Sequence, residues 1–443
     1  MAHLESYGGI WRSIVERVDV AVVGAGLSGL SCAYSLAQSG LDVLVVERGD
    51  YPGSKNVTGG RLYMNPIRNY MPEIWDEAPF ERYVAKEKLT MLSDDSSVTM
   101  ELNSNAFTRK PYHSYTLIRP VFDKWLAEKA TAAGAAIVSK YKVEGLLREN
   151  GRITGIKAEG EDIAANVVVA ADGALSFIAE EAGLRAEHDP DHFAVGVKET
   201  VELPRKVIED RFNLKGDEGC AQLYFGSLTK GITGGGFLYT NRESISIGIV
   251  VSIDALMKHT DQIESQQLME SFNQRPEVAS IIEGGDTVEY SAHAIPEGGI
   301  HGIPRLYGDG ILVVGDAAGF SLNMGIIVRG MDLAIASGAI AAETIKAAKK
   351  RGNFSAASLA QYAGMINDSF VMKDLRTFSN VWEVLSNRRL FEKYPAVVTR
   401  LLEDLMWIGT DSKHKISSTA LKHVRKSLVG WSSLKDALSF LKI

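Results

Sequence analysis

The 443-residue sequence holds only two cysteines, Cys32 and Cys220. One disulfide is arithmetically allowed, but such scarcity fits a reducing compartment better than a disulfide-stapled secreted fold. Two thiols cannot supply the four cysteine ligands of an iron–sulfur cluster, so none is expected in this chain. HExxH, CxxC, GxSxG and P-loop strings are missing as well, which leaves metalloprotease, thiol-redox, hydrolase and NTPase readings without support. His188-Asp189-Pro190-Asp191-His192 has the look of a metal ligand set. Pro190 breaks the helix that would align the two histidines, and no third ligand lies nearby, so we read a solvated crossing loop.

An excess of positive charge is also lacking. Lys and Arg total 48 against 55 Asp and Glu, a formal net charge of −7. Non-specific nucleic-acid binding needs the opposite balance, so no nucleic-acid partner is expected. Nor is there an unbroken apolar run of membrane length. Ile311–Val328 comes nearest, yet Asp316, Asn323 and several glycines interrupt it and Arg329 closes it. Burying Asp316 in hydrocarbon is costly, so strand, loop and helix are expected there and no transmembrane helix. Met1–Arg17 carries Glu5 and Glu16 and lacks the apolar core of a secretory signal. With 45% hydrophobic and 23% charged residues the composition is that of an ordinary globular protein, and the length suits two to four domains.

What the chain does have begins at Val18–Val23, an apolar run of strand length that meets Gly24-Ala25-Gly26-Leu27-Ser28-Gly29 and then a helical stretch to about Gln38. Leu41–Glu47 reads as a second buried strand, completing a βαβ unit. Gly24 permits the tight turn, Gly26 lets backbone amides approach a pyrophosphate, and Gly29 allows close helix–strand packing. The helix N-terminus favours the phosphate charge. Glu47, 18 residues after Gly29, stands where a carboxylate accepts hydrogen bonds from an adenosine ribose, with Arg48 beside it. A dinucleotide is therefore expected. Ile311–Phe320, ILVVGDAAGF, decides between NAD and FAD. A strand ending in Gly315-Asp316 can set a carboxylate on ribitol hydroxyls, and the amides that follow, as far as Gly319, can face the flavin edge that gathers negative charge on reduction. FAD is long enough to need both sites, and we expect it bound non-covalently. Asp172-Gly173 ends a third buried strand, Asn166–Ala170, and Arg119 precedes a helix over Phe122–Ala133. Gly59-Gly60 would allow close approach to the isoalloxazine. Asn150-Gly151 marks a tight hairpin turn.

With these motifs in this order the chain resembles the glutathione-reductase-like flavoproteins of the hydroxylase type. Four longer strings narrow the likeness: GSKNVTGGRLY (Gly53–Tyr63), EGGIHGIPRLYGDGILVVGDAAGF (Glu297–Phe320), VRGMDLAIASG (Val328–Gly338) and SFVMKDLRTF (Ser369–Phe378). They are similar to the FixC-type electron transfer flavoprotein–quinone oxidoreductases, over Val18 to about Gly409. That resemblance implies an α/β fold: a Rossmann-like FAD-binding domain, an inserted sheet-based substrate/quinone domain and a C-terminal helical region. We place the FAD-binding domain at 15–75, 110–185 and 305–350, the insert at 76–109 and 186–304, and the helical region at 351–443. Gly325 joins the residues expected to touch the cofactor. In larger relatives a diglycine before an FLY sequence lies at the quinone headgroup, which the resemblance carries over to Gly234 and Gly235 of GGGFLY.

The function implied is electron transfer from an electron transfer flavoprotein, with its alpha and beta subunits, to a membrane quinone. No side chain is assigned as base or nucleophile, because the chemistry resides in the flavin. Larger relatives carry a cysteine-ligated cluster domain that is missing here. A separate ferredoxin-like iron–sulfur subunit is therefore expected, within a Fix/Etf-type complex; the sequence is compatible with both an electron-bifurcating and a non-bifurcating assembly. The rival readings are a prenyl-lipid reductase of the geranylgeranyl type, an aromatic hydroxylase and a non-catalytic scaffold; the string Glu297–Phe320 favours the quinone enzyme. Residues 410–443 hold seven basic residues (Lys413, Lys415, Lys422, Arg425, Lys426, Lys435, Lys442) against Asp411 and Asp436. Leu421, Val424, Leu428, Trp431, Leu434, Leu438 and Leu441 recur there at helical spacing. Such a segment can lie on anionic lipid or meet an acidic partner. The expected location is cytoplasmic, peripheral on the inner face of the cytoplasmic membrane.

Overall fold

A computed structural model describes residues 17–55, 60–186, 188–425 and 431–440. Val18–Val23 is a strand buried on both faces, which is why it reads as a continuous apolar run. It pairs in parallel with Val43–Glu47 on one side and Glu161–Ala170 on the other. Ile311–Val313 and Ala136–Ser139 extend the sheet outward, also in parallel. The register sets Val23 beside Ala170 and Ala170 beside Val313. All three glycine-containing turns, at Gly24, Gly173 and Gly315, thus leave the same carboxyl-terminal edge. Ligands of open parallel sheets bind at that edge. A hairpin, Val143–Glu149 with Arg152–Ala158, adds on through Glu161–Ala164, its turn made by Asn150 and Gly151 at φ +51° and +84°.

Two helices clamp one face of this sheet. Leu27–Ala37 crosses Met331–Arg351 so closely that a Cβ at Gly338 would sit 2.1 Å from the Ser28 carbonyl oxygen. The helix expected at Phe122–Ala133 begins earlier, at Arg119, because Pro120 is preset for a first helical turn whose N–H has no partner. Downstream of Phe320 the expected helix gives way to a short hairpin, Leu322–Asn323 with Val328–Arg329, before Met331.

The second sheet has nine strands, in the order Asp286–Pro296, Phe193–Glu202, Ser244–Ser252, Gly234–Thr240, Glu218–Gly226, Tyr83–Leu92, Ser114–Thr116 and Arg61–Tyr63, with Ser97–Asn103 paired to Tyr83–Leu92. Arg61–Tyr63 and Ser114–Thr116 lie in stretches assigned above to the dinucleotide domain, yet both hydrogen-bond into this sheet. Gly234–Thr240 and Ser244–Ser252 form an antiparallel pair joined at Asn241–Glu243. Helices Arg205–Phe212, Ser265–Asn273 and Pro276–Ile282 close one face over Ile245, Ile247 and Ile249, with Phe272 contributed by the second of them. The other face looks toward the first sheet. Buried Arg82 pins the insert: its guanidinium donates to the carbonyls of Asn241, Gly216, Glu218 and Arg242 at 2.7–3.1 Å.

From Ala356 the described chain is helical. Arg329 bonds Asp332 and Asp374, tying the hairpin to this region. Arg389 holds Asp436 through two bonds of 2.5 and 2.7 Å, which pulls the Asp436 carboxyl down to about 2 and fastens the last described helix, Trp431–Phe440, to Arg389–Met406. Of the apolar helix face expected from Leu421 to Leu441, the described parts lie in the helices Ile416–His423 and Trp431–Phe440, and residues 426–430 lie outside the described residues. Leu428, Leu441 and the side chains of Trp431 and Leu434 lie outside the described residues. No helix among the described residues is long and apolar enough to cross a membrane.

Candidate functional site

Between the two sheets lies one cavity of about 1460 Å³. It runs from Gly24 and Gly26 at one end to Gly234, Gly235 and Gly236 at the other. At the first end the chain turns through Gly24 at φ +103°, where a side chain would meet the Ala171 carbonyl at 2.4 Å. Gly26 faces open space, with nothing within 4 Å of a Cβ built on it. It caps the helix Leu27–Ala37, which has no side-chain cap and no acidic residue in its first turn. The amides there are left for an anion, and these residues fit a dinucleotide pyrophosphate. Gly29 lies outside the cavity wall and acts by packing: its Cβ would fall 2.1 Å from the Gly24 carbonyl.

Two carboxylates expected to hold hydroxyls sit differently. Glu47 accepts from the Ala25 N–H at 2.9 Å and the Gly49 N–H at 2.6 Å, so it also shapes the glycine turn. Exposed Arg48 lines the cavity beside it. Asp316 faces the cavity from the short turn Gly315–Ala318; burial pushes its carboxyl up, while Arg119 and His293 oppose that rise. Gly315 and Gly319 serve this turn from outside the cavity wall, packing against Ser28 and Gly302. Gly325 lines the cavity from the hairpin tip.

Arg119 reaches the wall too, with its guanidinium forked onto Asp123 through two 2.9 Å bonds. Asp172 caps the helix Phe177–Glu181, accepting from the Ser176 hydroxyl at 2.6 Å and the Ile178 N–H at 3.1 Å, and still faces the cavity with Gly173. Gly60 is on the wall, but the space its side chain would take is held by the Tyr239 ring, 2.6 Å from a built Cβ. Gly59 lies outside the described residues.

The far end is the inner face of the second sheet. Gly235, Val250, Gly196 and His293 stand in one row across four strands, and all line the cavity. Two of the four lack side chains, which gives a shallow floor for a flat ring. Gly234 has a further constraint: at φ +155° its Cβ would lie 2.1 Å from the Val250 carbonyl, and a Cβ on Gly235 would lie 2.7 Å from the Tyr224 carbonyl. Enlarging either residue strains the strand itself.

Sequence reasoning missed several polar groups on this wall. Arg61 pairs with Glu87 and stacks 4.4 Å over the Tyr63 ring. Lys198, whose ammonium burial pushes its pKa down, pairs with Glu289 at 3.3 Å. His293 is lowered, chiefly by burial, and enclosure raises Glu297 to about 7. Their signal was only a polar residue in an alternating strand, which solvent exposure explains as well. Cys32 and Cys220 are buried thiols raised to about 12, and no metal-holding group of His, Cys, Asp or Glu is found among the described residues.

A parallel sheet with a phosphate-ready turn, an acid at the second strand, an aspartate at the last and a roofing antiparallel sheet defines an FAD-binding oxidoreductase. Residues 17–212 match the FAD binding domain model, and 193–295 match the ETF-QO ubiquinone-binding model. The chain is 42% identical to the probable electron transfer flavoprotein-quinone oxidoreductase YdiS of Escherichia coli, over 93% of this chain and 95% of that protein. FixC of Escherichia coli is 42% identical over 95% and 97%, and FixC of Bradyrhizobium diazoefficiens 40% identical over 97% and 99%. The chain belongs to this FixC-type family of electron transfer flavoprotein–quinone oxidoreductases. A geranylgeranyl bacteriochlorophyll reductase-like structure from Thermoplasma acidophilum shares the fold, with a TM-score of 0.70 and 22% identity over 93% and 96% of the two chains.

Proposed function

We infer that this chain accepts electrons from an electron transfer flavoprotein and passes them through FAD to a quinone. One observation carries the reading: a single cavity joins the dinucleotide turn at Gly24–Gly26 to the glycine floor at Gly235 and Gly196. FAD supplies the electron storage between donor and quinone. The amides after Gly26 would hold its pyrophosphate, Glu47 its ribose and Asp316 its ribitol. The Gly234–Gly235 strand would carry the quinone headgroup.

The quinone is proposed to arrive from a membrane. Leu390, Phe391 and Tyr394 of the helix Arg389–Met406 line the cavity. That helix continues along the second sheet for roughly 22 Å beyond Phe391 at 1.5 Å per residue. At its end Met406, Trp407 and Ile408 are 78%, 70% and 75% exposed, and Ile416 is 74% exposed, with Lys413, Lys415 and Lys422 around them. An apolar tip with these lysines beside it, and with Glu403, Asp404 and Asp411 exposed there as well, is the proposed contact with the inner face of the cytoplasmic membrane, held chiefly by its apolar side chains. A ferredoxin-like iron–sulfur subunit completes the proposed assembly. The test is reduction of quinone in lipid vesicles by the FAD-loaded chain and reduced electron transfer flavoprotein, with and without that subunit. No quinone reduction in either mixture refutes the function; equal rates in both refute a required cluster partner.

A further inference from the structure

Quinone reduction needs protons as well as electrons, and the strand that borders the cavity carries two groups able to move them. His293 and Glu297 lie four residues apart on and just past Asp286–Pro296, roughly 13 Å at 3.3 Å per residue, and both line the cavity. Ile295, between them, is also on the wall. His293 ends the row that begins at Gly235, three strand spacings or roughly 14 Å across the sheet. A ring lying on Gly235 and Gly196 therefore has His293 at its edge.

Glu297 connects this wall to the surface. Its N–H donates to the His192 carbonyl at 2.8 Å, and the next residue, Gly298, packs so closely on His192 that a built Cβ would lie 2.8 Å from the imidazole Cγ. His192 is half-buried, and the preceding Asp189, Pro190 and Asp191 are exposed. The HDPDH stretch thus sets the His192 backbone against Glu297 and the His192 ring against Gly298, on the solvent side of the cavity wall.

We propose that His192, Glu297 and His293 form the route by which protons enter the cavity for quinol formation, a reading that rests on quinone being the acceptor. Forming a quinol from a quinone makes two O–H bonds and consumes two electrons and two protons. The electrons come from the electron transfer flavoprotein by way of FAD, and the protons come from water. Each proton leaves the His293 imidazolium for a quinone oxygen. Glu297 returns one to His293 through water in the cavity, and His192 relays the replacement proton to Glu297 from solvent. The raised Glu297 carboxyl holds a proton up to about pH 7, and the lowered His293 gives one up readily. The charged and titratable groups around the route are Asp316, Arg119 and Arg48 near His293, Lys198 in the adjacent row, His301 in the turn after Glu297, and Asp191 and Lys258 beside His192.

Wild-type protein is first shown to reduce quinone; if it does not, the functional reading fails before the route is tested. With that in hand, Glu297→Gln is expected to keep its flavin absorbance and its reduction by electron transfer flavoprotein. Quinone reduction should slow by roughly 100-fold, the size of a lost proton-transfer group. Glu297→Asp should restore part of the rate. His192→Gln should slow turnover less, with imidazole in the buffer rescuing it. Independent of turnover, the protonated-carboxyl stretch in the infrared spectrum should vanish as pH rises through about 7 in wild type and be missing in Glu297→Gln. Wild-type rate and pH profile in Glu297→Gln, no imidazole rescue of His192→Gln, or a carboxyl band titrating in the ordinary range each overturns the route.

Discussion

Glu47 and Asp316 are both expected at hydroxyls of the cofactor, yet they sit in different surroundings, and replacing each by its amide separates the two. Glu47 accepts two backbone N–H groups, at 2.9 and 2.6 Å. Bonds to a charged group contribute roughly 1.5–3 kcal/mol each, less where water screens the partly exposed carboxylate. Asp316 is held above its ordinary 3.8 by burial. Ionising it is therefore harder in the fold than in the unfolded chain. The cost is nil where both states are protonated, appears above pH 3.8 and is complete once pH exceeds the folded value. Asp316→Asn should accordingly raise the stability of FAD-free protein at neutral pH. It should also weaken FAD binding by roughly 10–100-fold, the loss of one charge-assisted bond to ribitol. Glu47→Gln should lower both quantities, with FAD affinity falling by roughly tenfold. Melting temperature is a blunt assay here: at roughly 2.1 cal/mol/K per residue, 1 kcal/mol moves a chain of this length by only about 1 °C. Urea titration of FAD-free protein and flavin-fluorescence titration are the suitable measurements. Should Asp316→Asn destabilise the FAD-free protein, the burial argument is wrong; should it bind FAD within twofold of wild type, the assignment of Asp316 to the ribitol is wrong.

Val250 sits between Gly235 and Gly196, so Val250→Phe should fill the floor; the quinone KM is expected to rise at least tenfold (roughly 1.4 kcal/mol) with flavin content intact, and an unchanged KM places the headgroup elsewhere. A Cβ at Gly338 would overlap Ser28 backbone at 2.1 Å, so Gly338→Ala should cost about 1–3 kcal/mol in urea unfolding, and an unmoved midpoint refutes the tight helix crossing. Replacing Met406, Trp407 and Ile408 together by Ser should reduce co-sedimentation with anionic vesicles by roughly 100-fold or more while leaving the flavin bound, since each apolar side chain withdrawn from water contributes roughly 1.5–3 kcal/mol. Equal sedimentation of the triple variant removes this tip as the membrane contact.

The parallel sheet and its turns were legible because each depends on neighbours in sequence. Gly24, Gly26 and Gly29 answer to one turn and one helix, and Glu47 closes the same βαβ unit. GDAAG was legible for the same local reason. The roof was harder: Arg61–Tyr63 and Ser114–Thr116 are three-residue strands whose partners lie about 50 residues away, too short for an alternation to register. Gly234 and Gly235 were read as a place where a ring meets backbone, and the structure adds that neighbouring strands already press on both. Ion pairs such as Arg61–Glu87 and Arg389–Asp436 join residues 26 and 47 positions apart, and no local pattern announces them. His293 and Glu297 acquire meaning only when the sheet sets one in a row with Gly235 and the other against His192.

The parallel sheet also imposes a schedule on synthesis. Val18–Val23 emerges first, but its inner neighbour ends at Ala170, the next strand begins at Ile311, and the helix that covers Leu27–Ala37 spans Met331–Arg351. At roughly 5–20 residues per second, a ribosome needs on the order of 15–60 seconds to travel from Gly24 to Asp316. Throughout that interval the first βαβ unit has an open edge and an uncovered apolar helix face. Neither half of the pocket is complete alone, and a message truncated before residue 311 yields a sheet without the strand Ile311–Val313.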